Sequence, residues 1–256
     1  MLTEPLLEVR QLVKSFGAMM VSAEIDLSVM RGKIHAVIGP NGAGKTTLIA
    51  QLAGELRPDS GTITFLGKDI THLPIHIRSN LGIARSFQIT SIFQGFSALE
   101  NVALAFQANN GHNFRFWRDA RKYAVIRQSA LEVLERVGLA DRAHVLAGSL
   151  SHGEQRQLEV AMALGTRPKL LLFDEPMAGM GAEESERMVS VLRGLKEEHT
   201  LLLVEHDMDA VFALADRITV LVYGRVIASG TVEQIRADPE VRQAYLGDEK
   251  ALSGYA

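Results

Sequence analysis

The stretch Gly39-Pro40-Asn41-Gly42-Ala43-Gly44-Lys45-Thr46 decides the fold of this chain. It matches the pattern G-x-x-x-x-G-K-[ST], in which glycines let the backbone turn tightly and point successive N–H groups at one anion. An apolar run over Ile34–Ile38 precedes it and a candidate helix over 46–52 follows it, so the pattern joins a buried strand to a helix N-terminus. The sequence therefore predicts a phosphate-binding loop. Lys45 would reach the β- and γ-phosphates of a nucleotide, and Thr46 would ligate Mg²⁺.

A second apolar run, over 170–173, ends in Asp174 and Glu175. Ligands of a parallel sheet bind at the carboxyl ends of its strands, so both carboxylates are expected beside the phosphates. There Asp174 would hold Mg²⁺, directly or through water, and Glu175 would orient or deprotonate the attacking water. A lone acidic pair at a strand end is as often simply solvated. The phosphate-binding loop in the same chain favours the catalytic interpretation.

Strand and helix patterns alternate after residue 165, with apolar runs at 201–204 and 218–222 and amphipathic stretches at 182–196 and 208–214. Such alternation predicts an α/β fold with a mostly parallel sheet covered by helices. The first thirty residues instead indicate adjoining strands, and the stretch from about 97 to 165 is helical in composition. We therefore expect a helical block inside the α/β domain.

Composition excludes several classes of protein. The 256 residues are 47% hydrophobic with a formal net charge of −3, which argues against broad, sequence-independent nucleic-acid binding. The chain has no cysteine, so disulfide scaffolds and thiolate metal sites are excluded and a reducing compartment is expected. We find no secretory leader pattern and no apolar run of the roughly 18 residues that span a bilayer. Any action on a membrane is therefore expected to require another chain.

The segment Leu150-Ser151-His152-Gly153-Glu154-Gln155 resembles the signature motif of the ATP-binding-cassette family, which in its commonest form is L-S-G-G-Q. It precedes the strand and the acidic pair, as that family requires. Ser151 can cap a helix and donate to an anion, and Gly153 permits close backbone approach. A simple capping box of Ser151 with Glu154 is the structural alternative, and one geometry serves both roles. His152 departs from the commonest glycine and is expected to be a solvent or interface group.

The resemblance covers nearly the whole chain and implies the roles of further residues. It implies catalytic roles for Glu175, for His206 at the γ-phosphate and for Gln88, which senses Mg²⁺ and links two lobes. Phe16 matches the aromatic residue that stacks on adenine, and an ordinary core phenylalanine is the alternative. The implied ATP-binding residues are Phe16, Gly39, Pro40, Asn41, Gly42, Ala43, Gly44, Lys45, Thr46, Thr47, Ser151, Gly153 and Glu154; those for Mg²⁺ are Thr46, Gln88 and Asp174.

The resemblance also implies the architecture. The fold would be that of a P-loop NTPase of the RecA-like type, with a mixed, mostly parallel sheet, an inserted α-helical subdomain and an N-terminal antiparallel β-region. The chain would be a single ATPase domain, residues 1–256. Residues 1–90 and 166–256 would form the nucleotide-binding lobe, and 91–165 the helical subdomain with the signature.

One nucleotide needs the loop of one such domain and the signature of another, so the resemblance implies a second ABC ATPase subunit, identical or related, paired head to tail. It also implies transmembrane permease subunits. Gly181 departs from the family pattern, which has an acidic or amide side chain there. That departure puts strong coupling between the two ATP sites in doubt.

Residues 90–93, 99–102, 150–155 and 244–247 resemble one branch, the branched-chain amino-acid importer ATPases, whose relatives include urea importers and lipopolysaccharide exporters. Urea and lipopolysaccharide are therefore the alternative substrates. A soluble ABC ATPase acting on ribosomes or nucleic acid is a rival class, but it usually carries two cassettes or a coiled-coil insertion. A P-loop kinase would not need the signature or His206.

The apolar and aromatic stretch 89–96 is the expected docking site for a permease helix, with packing between lobes as the alternative. Residues 114–118 interleave basic and aromatic side chains, which suits a bilayer interface, nucleic-acid bases or the start of an amphipathic helix. We expect a cytoplasmic protein on the inner face of the plasma membrane. It would touch the membrane only through the permease and bind no nucleic acid.

Overall fold

The computed structural model describes residues 4–86, 92–109 and 120–245, and these build two sheets. The first sheet is antiparallel and has four strands in the order β2-β1-β4-β5. Its strands are β1 (Pro5–Phe16), β2 (Met19–Met30), β4 (Ser60–Phe65) and β5 (Lys68–Asp69). This sheet is the N-terminal antiparallel region that the sequence predicts.

The second sheet has six strands in the order β10-β9-β3-β8-β7-β6. They are β3 (Ile34–Ile38), β6 (Ile83–Arg85), β7 (Leu170–Asp174), β8 (Thr200–Val204), β9 (Arg217–Val222) and β10 (Arg225–Gly230). All neighbours pair in parallel except β9 and β10, which are antiparallel. The predicted α/β class with a mixed, mostly parallel sheet is confirmed.

Nine α-helices lie in the described parts of the chain. They are α1 (Lys45–Ala53), α2 (Ile75–Leu81), α3 (Ala98–Asn109), α4 (Ala120–Arg136), α5 (His152–Gly165), α6 (Ala182–Leu195), α7 (Met208–Leu214), α8 (Val232–Ala237) and α9 (Pro239–Tyr245). No described helix is long and apolar enough to cross a membrane. Helices α3 to α5 lie in the chain between β6 and β7, which are neighbours in the sheet, so they form an insertion between adjacent strands.

The central strands are buried on both faces, which is why their sequences are continuous apolar runs rather than alternating ones. In β7, Leu171 and Phe173 join the core beneath the helices, whereas Leu170 and Leu172 join the core between the two sheets. In β7 the first polar side chain is accordingly that of Asp174, at the carboxyl end of the strand. Polar groups accumulate at that end, and the candidate site lies there.

A buried arginine fixes the helix that follows the phosphate-binding loop. Arg78 of α2 is 1% exposed, and its guanidinium donates to the carbonyl oxygens of Gln51 and Leu52 at 2.7 and 2.8 Å. It also donates to the carbonyls of Leu73 and Thr71. The last carbonyls of a helix have no partner within it, so this cation satisfies the C-terminus of α1. Burial lowers the pKa of Arg78 to about 10, and the side chain stays charged at neutral pH.

His35 lies inside the central sheet on β3. Its Nε2 is 2.8 Å from the hydroxyl of Thr219, which is in turn 2.9 Å from the hydroxyl of Ser229. Burial, with a smaller effect from the charge of Arg217, lowers the pKa of His35 from 6.5 to about 4. The imidazole is therefore neutral in the folded protein at pH values where the unfolded chain is already protonated.

We expect this histidine to make the protein less stable in mild acid. Between its unfolded pKa of 6.5 and its folded pKa of about 4, the unfolded state binds the extra proton, so the free energy of unfolding falls as pH falls. The shift corresponds to roughly 3 kcal/mol lost between pH 7 and pH 4. Urea unfolding of the wild type and of His35→Gln, repeated across this range, measures it. If both proteins lose stability in parallel, the buried imidazole is not responsible.

Candidate functional site

The phosphate-binding loop runs from the end of β3 to the start of α1, as the sequence predicts. Gly44 has φ of 99°, and a Cβ there would lie 2.3 Å from the carbonyl oxygen of Val21 on β2, so only glycine fits. The turn between β9 and β10 packs against the same loop, where the N–H of Gly224 donates to the carbonyl of Ala43 at 3.0 Å. Neighbouring strands thus fix the shape of the loop.

Lys45 lies within the curve of the loop. Its Nζ donates to the carbonyl oxygens of Gly39 at 2.7 Å and Pro40 at 3.1 Å, and the side chain is largely buried. Burial lowers the pKa of Lys45, while the carboxylates of Glu175 and Asp174 oppose that effect. The charge of Lys45 therefore interacts with the charges of both carboxylates of the acidic pair.

Asp174 ends β7 and faces the start of α1. Its Oδ1 accepts from the hydroxyl of Thr46 at 3.4 Å, and its Oδ2 accepts from the guanidinium of Arg85 at 3.1 Å. Burial raises the pKa of Asp174, and the charge of Arg85 counteracts the rise. The two carboxylate oxygens therefore have different partners, with one turned towards the phosphate-binding loop.

Thr46 and Asp174 supply a hydroxyl and a carboxylate oxygen close together, which are the hard ligands that Mg²⁺ prefers. Over the described residues, no cluster of three or more His, Cys, Asp or Glu could hold a metal by itself. Mg²⁺ in nucleotide sites usually takes one or two protein ligands and fills the remainder with phosphate and water. This pair therefore fits a metal that arrives with a nucleotide.

Glu175 follows Asp174 with a positive φ of 53°, which is strained for a residue with a side chain. Its N–H donates to the carbonyl of Val204 at the end of β8, and this bond holds the strained residue in place. Its Oε1 lies 3.8 Å from Nδ1 of His206, which follows β8. The carboxyl ends of two neighbouring strands thus bring Glu175 and His206 together, as the sequence predicts.

Glu205 is a further residue of this site, and no motif in the sequence indicated a role for it. It is fully buried, and its carboxylate accepts the N–H groups of Met177 at 2.9 Å and of His206 at 3.1 Å. Burial raises the pKa of Glu205. The residue ties the segment after Glu175 to the segment of His206. An acidic residue directly after an apolar parallel strand was the available signal.

Phe16 lies at the end of β1 and is 53% exposed, with the Nζ of Lys14 5.6 Å from its ring centre. The alternative of an ordinary core phenylalanine is therefore wrong. Met19 and Met20, across the hairpin turn, are also exposed, so the ring lies in an apolar surface open to a flat partner.

The signature segment begins α5 and is built as a capping box. The Ser151 hydroxyl accepts the N–H of Glu154 at 3.2 Å, and the Glu154 carboxylate accepts the N–H of Ser151 at 2.9 Å. The same carboxylate pairs with Arg142 at 2.9 Å. Among the described residues, no hydrogen bond joins Ser151, Gly153 or Glu154 to the phosphate-binding loop.

The start of α6 packs on the signature. The Ser151 hydroxyl lies 3.4 Å from a carboxylate oxygen of Glu184, and a Cβ on Gly153 would lie 2.6 Å from the same oxygen, so Gly153 permits this approach. The ring of His152 is exposed, and its Nε2 lies 3.3 Å from the carbonyl oxygen of Ala178. Gly181 lies at the N-cap of α6, and its N–H is 3.4 Å from the carboxylate of Glu184.

Some expected features lie outside the described residues. Gln88 is among them, as are residues 89–91 of the expected docking stretch and all of 114–118. In the described part of that stretch, the rings of Phe93 and Phe96 are half-exposed and stack with centroids 5.5 Å apart.

Beyond the sequence predictions, the structure has a groove of about 270 Å³ between the sheet and the inserted helices. Ala53, Ile75 and Ile83 line one side, and Ala105, Met162 and Ala163 the other. These residues come from distant parts of the sequence, so no local sequence pattern predicts the groove.

Comparison with known proteins agrees with this geometry. Residues 23–178 match the family model described as ABC transporter, and residues 225–251 match one described as branched-chain amino acid ATP-binding cassette transporter. The chain is 37% identical over 260 residues to the high-affinity branched-chain amino acid transport ATP-binding protein BraF of Pseudomonas aeruginosa, covering 96% of this chain and 100% of that protein.

The corresponding protein LivG of Escherichia coli is 36% identical over 257 residues, with 96% and 100% coverage. Among solved structures, the ADP conformation of MJ1267, an ATP-binding cassette of an ABC transporter, superposes with a TM-score of 0.84 at 30% identity. That superposition covers 96% of this chain and 100% of MJ1267. The likeness thus spans nearly the whole chain in both sequence and fold.

Proposed function

This chain belongs to the ABC transporter family, and we propose that it is the ATP-binding and ATP-hydrolysing subunit of a transporter that imports branched-chain amino acids. The match of residues 225–251 to the branched-chain amino acid cassettes carries the substrate assignment. The general cassette motifs are shared by importers and exporters and do not select a substrate.

In this proposal the backbone N–H groups of residues 39–47 and the Nζ of Lys45 hold the phosphates of ATP. Thr46 and Asp174 would hold Mg²⁺, which would supply positive charge to the bound phosphates. The exposed ring of Phe16 supports the adenine. The loop supports these roles because its shape is fixed by close contacts with β2 and the β9–β10 turn.

Glu175 and His206 act at the γ-phosphate. Glu175 accepts a proton from, or orients, the attacking water, and His206 donates to a γ-phosphate oxygen. Their side chains approach to 3.8 Å from two different strands, so one small group can contact both. Gln88 completes the catalytic set in this proposal and also contacts Mg²⁺.

The signature residues Ser151, Gly153 and Glu154 serve the nucleotide of a second ABC ATPase subunit. Among the described residues no hydrogen bond joins them to this chain's own loop, which supports that assignment. The carboxylate of Glu154 already pairs with Arg142, so its contribution is the capped helix N-terminus rather than a contact of its negative charge with phosphate. ATP then bridges two subunits and stabilises the closed pair.

The groove between the sheet and the inserted helices is where we place the permease. Its apolar walls suit one helix of a transmembrane subunit. The half-exposed rings of Phe93 and Phe96 belong to the stretch 89–96, the expected docking site for such a helix. The chain then works on the cytoplasmic face of the inner membrane and reaches the membrane only through that subunit.

Uptake measurements test the substrate. In cells lacking this gene we expect the initial uptake of labelled leucine, isoleucine and valine at low concentration to fall, and the wild-type gene to restore it. A Glu175→Gln gene should not restore it. Normal leucine uptake together with lost urea uptake would move the assignment to a urea importer. Normal uptake of both, with the protein sedimenting with ribosomes, would favour a soluble ABC ATPase.

A further inference from the structure

A buried arginine next to the acidic pair has no part in the mechanism above. The side chain of Arg85 is 9% exposed and lies between two carboxylates, contacting Glu55 beyond the C-terminus of α1 and Asp174 at the end of β7. The Asp174 carboxylate is fully buried, and Arg85 reaches its Oδ2 at 3.1 Å. Three elements of the nucleotide site, namely α1, β6 and β7, thus meet at one guanidinium.

We propose that Arg85 is the positioning residue for the metal site, holding the Asp174 carboxylate turned so that Oδ1 faces Thr46, where the Mg²⁺ of bound ATP would be held. This inference rests on the proposed function and adds a residue to it. Arg85 contacts neither ATP nor the metal. It acts through Asp174.

The division of the two carboxylate oxygens supports the proposal. Arg85 occupies Oδ2, which leaves Oδ1 on the side of Thr46 at 3.4 Å. A carboxylate held at one oxygen cannot rotate freely, so its other oxygen stays on the side of the Thr46 hydroxyl. Groups that hold a metal ligand from behind in this way typically contribute about 10- to 100-fold in metal affinity.

Charge supports it as well. The guanidinium donates a charge-assisted hydrogen bond to the buried Oδ2 of Asp174, which holds the carboxylate more firmly than a neutral donor would. The planar guanidinium can bind Asp174 and Glu55 at the same time, which a lysine ammonium at the end of a flexible chain does less well. Glu55 in turn balances the charge of Arg85, so the arginine is held in place before any metal binds.

The test is metal affinity measured directly. Purified wild type and Arg85→Met are loaded with ATP, free Mn²⁺ is counted by electron paramagnetic resonance, and ATP affinity is measured separately in EDTA. We expect Arg85→Met to bind ATP in EDTA within about threefold of the wild type. We expect its ATP complex to bind Mn²⁺ about 10- to 100-fold more weakly. Arg136→Met, which removes an exposed arginine paired with Glu198, is the matched control and should behave as the wild type.

Two further variants keep the test decisive. Arg85→Lys keeps the charge and should recover part of the lost Mn²⁺ affinity, whereas Asp174→Asn should lose at least as much as Arg85→Met. If Arg85→Met does not fold, Arg85→Lys is measured in its place, and we expect its ATP complex to bind Mn²⁺ about threefold or more weakly than that of the wild type. If any folded Arg85 variant binds Mn²⁺ as tightly as the wild type, the role of Arg85 is wrong and the proposed function is unaffected. A wild type that binds no ATP overturns the proposed function and this inference with it.

Discussion

Lys45→Ala is expected to abolish ATP binding at micromolar nucleotide. The ammonium group lies inside the loop, 2.7 Å from the carbonyl of Gly39, and a nucleotide phosphate entering the curve would take it as a donor. Hydrogen bonds to charged groups contribute about 1.5–3 kcal/mol each, so losing contacts to two phosphates costs about 3–6 kcal/mol. That corresponds to roughly a hundredfold to ten-thousandfold weaker binding.

Fluorescent ATP titration of the variant measures the loss, with Lys68→Ala as the matched control because that lysine is exposed on β5. The control should bind as the wild type. Thermal unfolding of both variants separates lost binding from lost folding, since Lys45 is buried and Lys68 is not. A folded Lys45→Ala protein with normal affinity would disprove the phosphate-binding role of this loop.

The fold was predictable from the sequence because its strongest signals are local. The strand Ile34–Ile38 has the predicted bounds, and α7 lies at 208–214 as expected. Helix α2 was not predicted, because it has only seven residues after Pro74 and its apolar residues do not recur at a clear helical spacing. The division into lobes at residues 90 and 165 stays a prediction.

The candidate site was only partly predictable, and the reason is distance along the chain. The phosphate-binding loop, Asp174 and Glu175 each carry a local pattern, and parallel strand ends bring them together. Arg85 has no sequence pattern of its own, and the only local signal for Glu205 is its position directly after an apolar strand. Each becomes part of the site only because tertiary packing buries it beside groups far away in sequence.

The signature segment was predictable in its local structure but not in its packing. Its capping box was readable from the spacing of Ser151 and Glu154, and the structure forms it. The contacts of Glu184 with Ser151 and Gly153 were not readable, because they depend on how α6 packs on α5. The roles that the resemblance gives to these residues at a partner's nucleotide stay predictions.

Glu175→Gln is expected to keep ATP binding while slowing turnover by at least about a hundredfold, the usual scale for a lost general base. The amide keeps the size of the carboxylate and the strained backbone, whose N–H remains bonded to Val204, so the site should stay intact. What it loses is an acceptor for the proton of water, 3.8 Å from His206. Phosphate release under saturating Mg-ATP measures turnover, and Glu132→Gln, on the exposed side of α4, is the control.

The same variant also tests whether the chain pairs with a copy of itself. In the proposed function the γ-phosphate bridges two subunits and hydrolysis removes it, so a variant that binds ATP without cleaving it should accumulate as a dimer on a sizing column. An ATP-bound variant that stays monomeric would indicate that the partner is a different, related ATPase. Near-normal turnover would assign the proton acceptor to another group. Glu205 is then the first to examine, because its buried carboxylate holds the N–H of His206 and lies 3.9 Å from its ring.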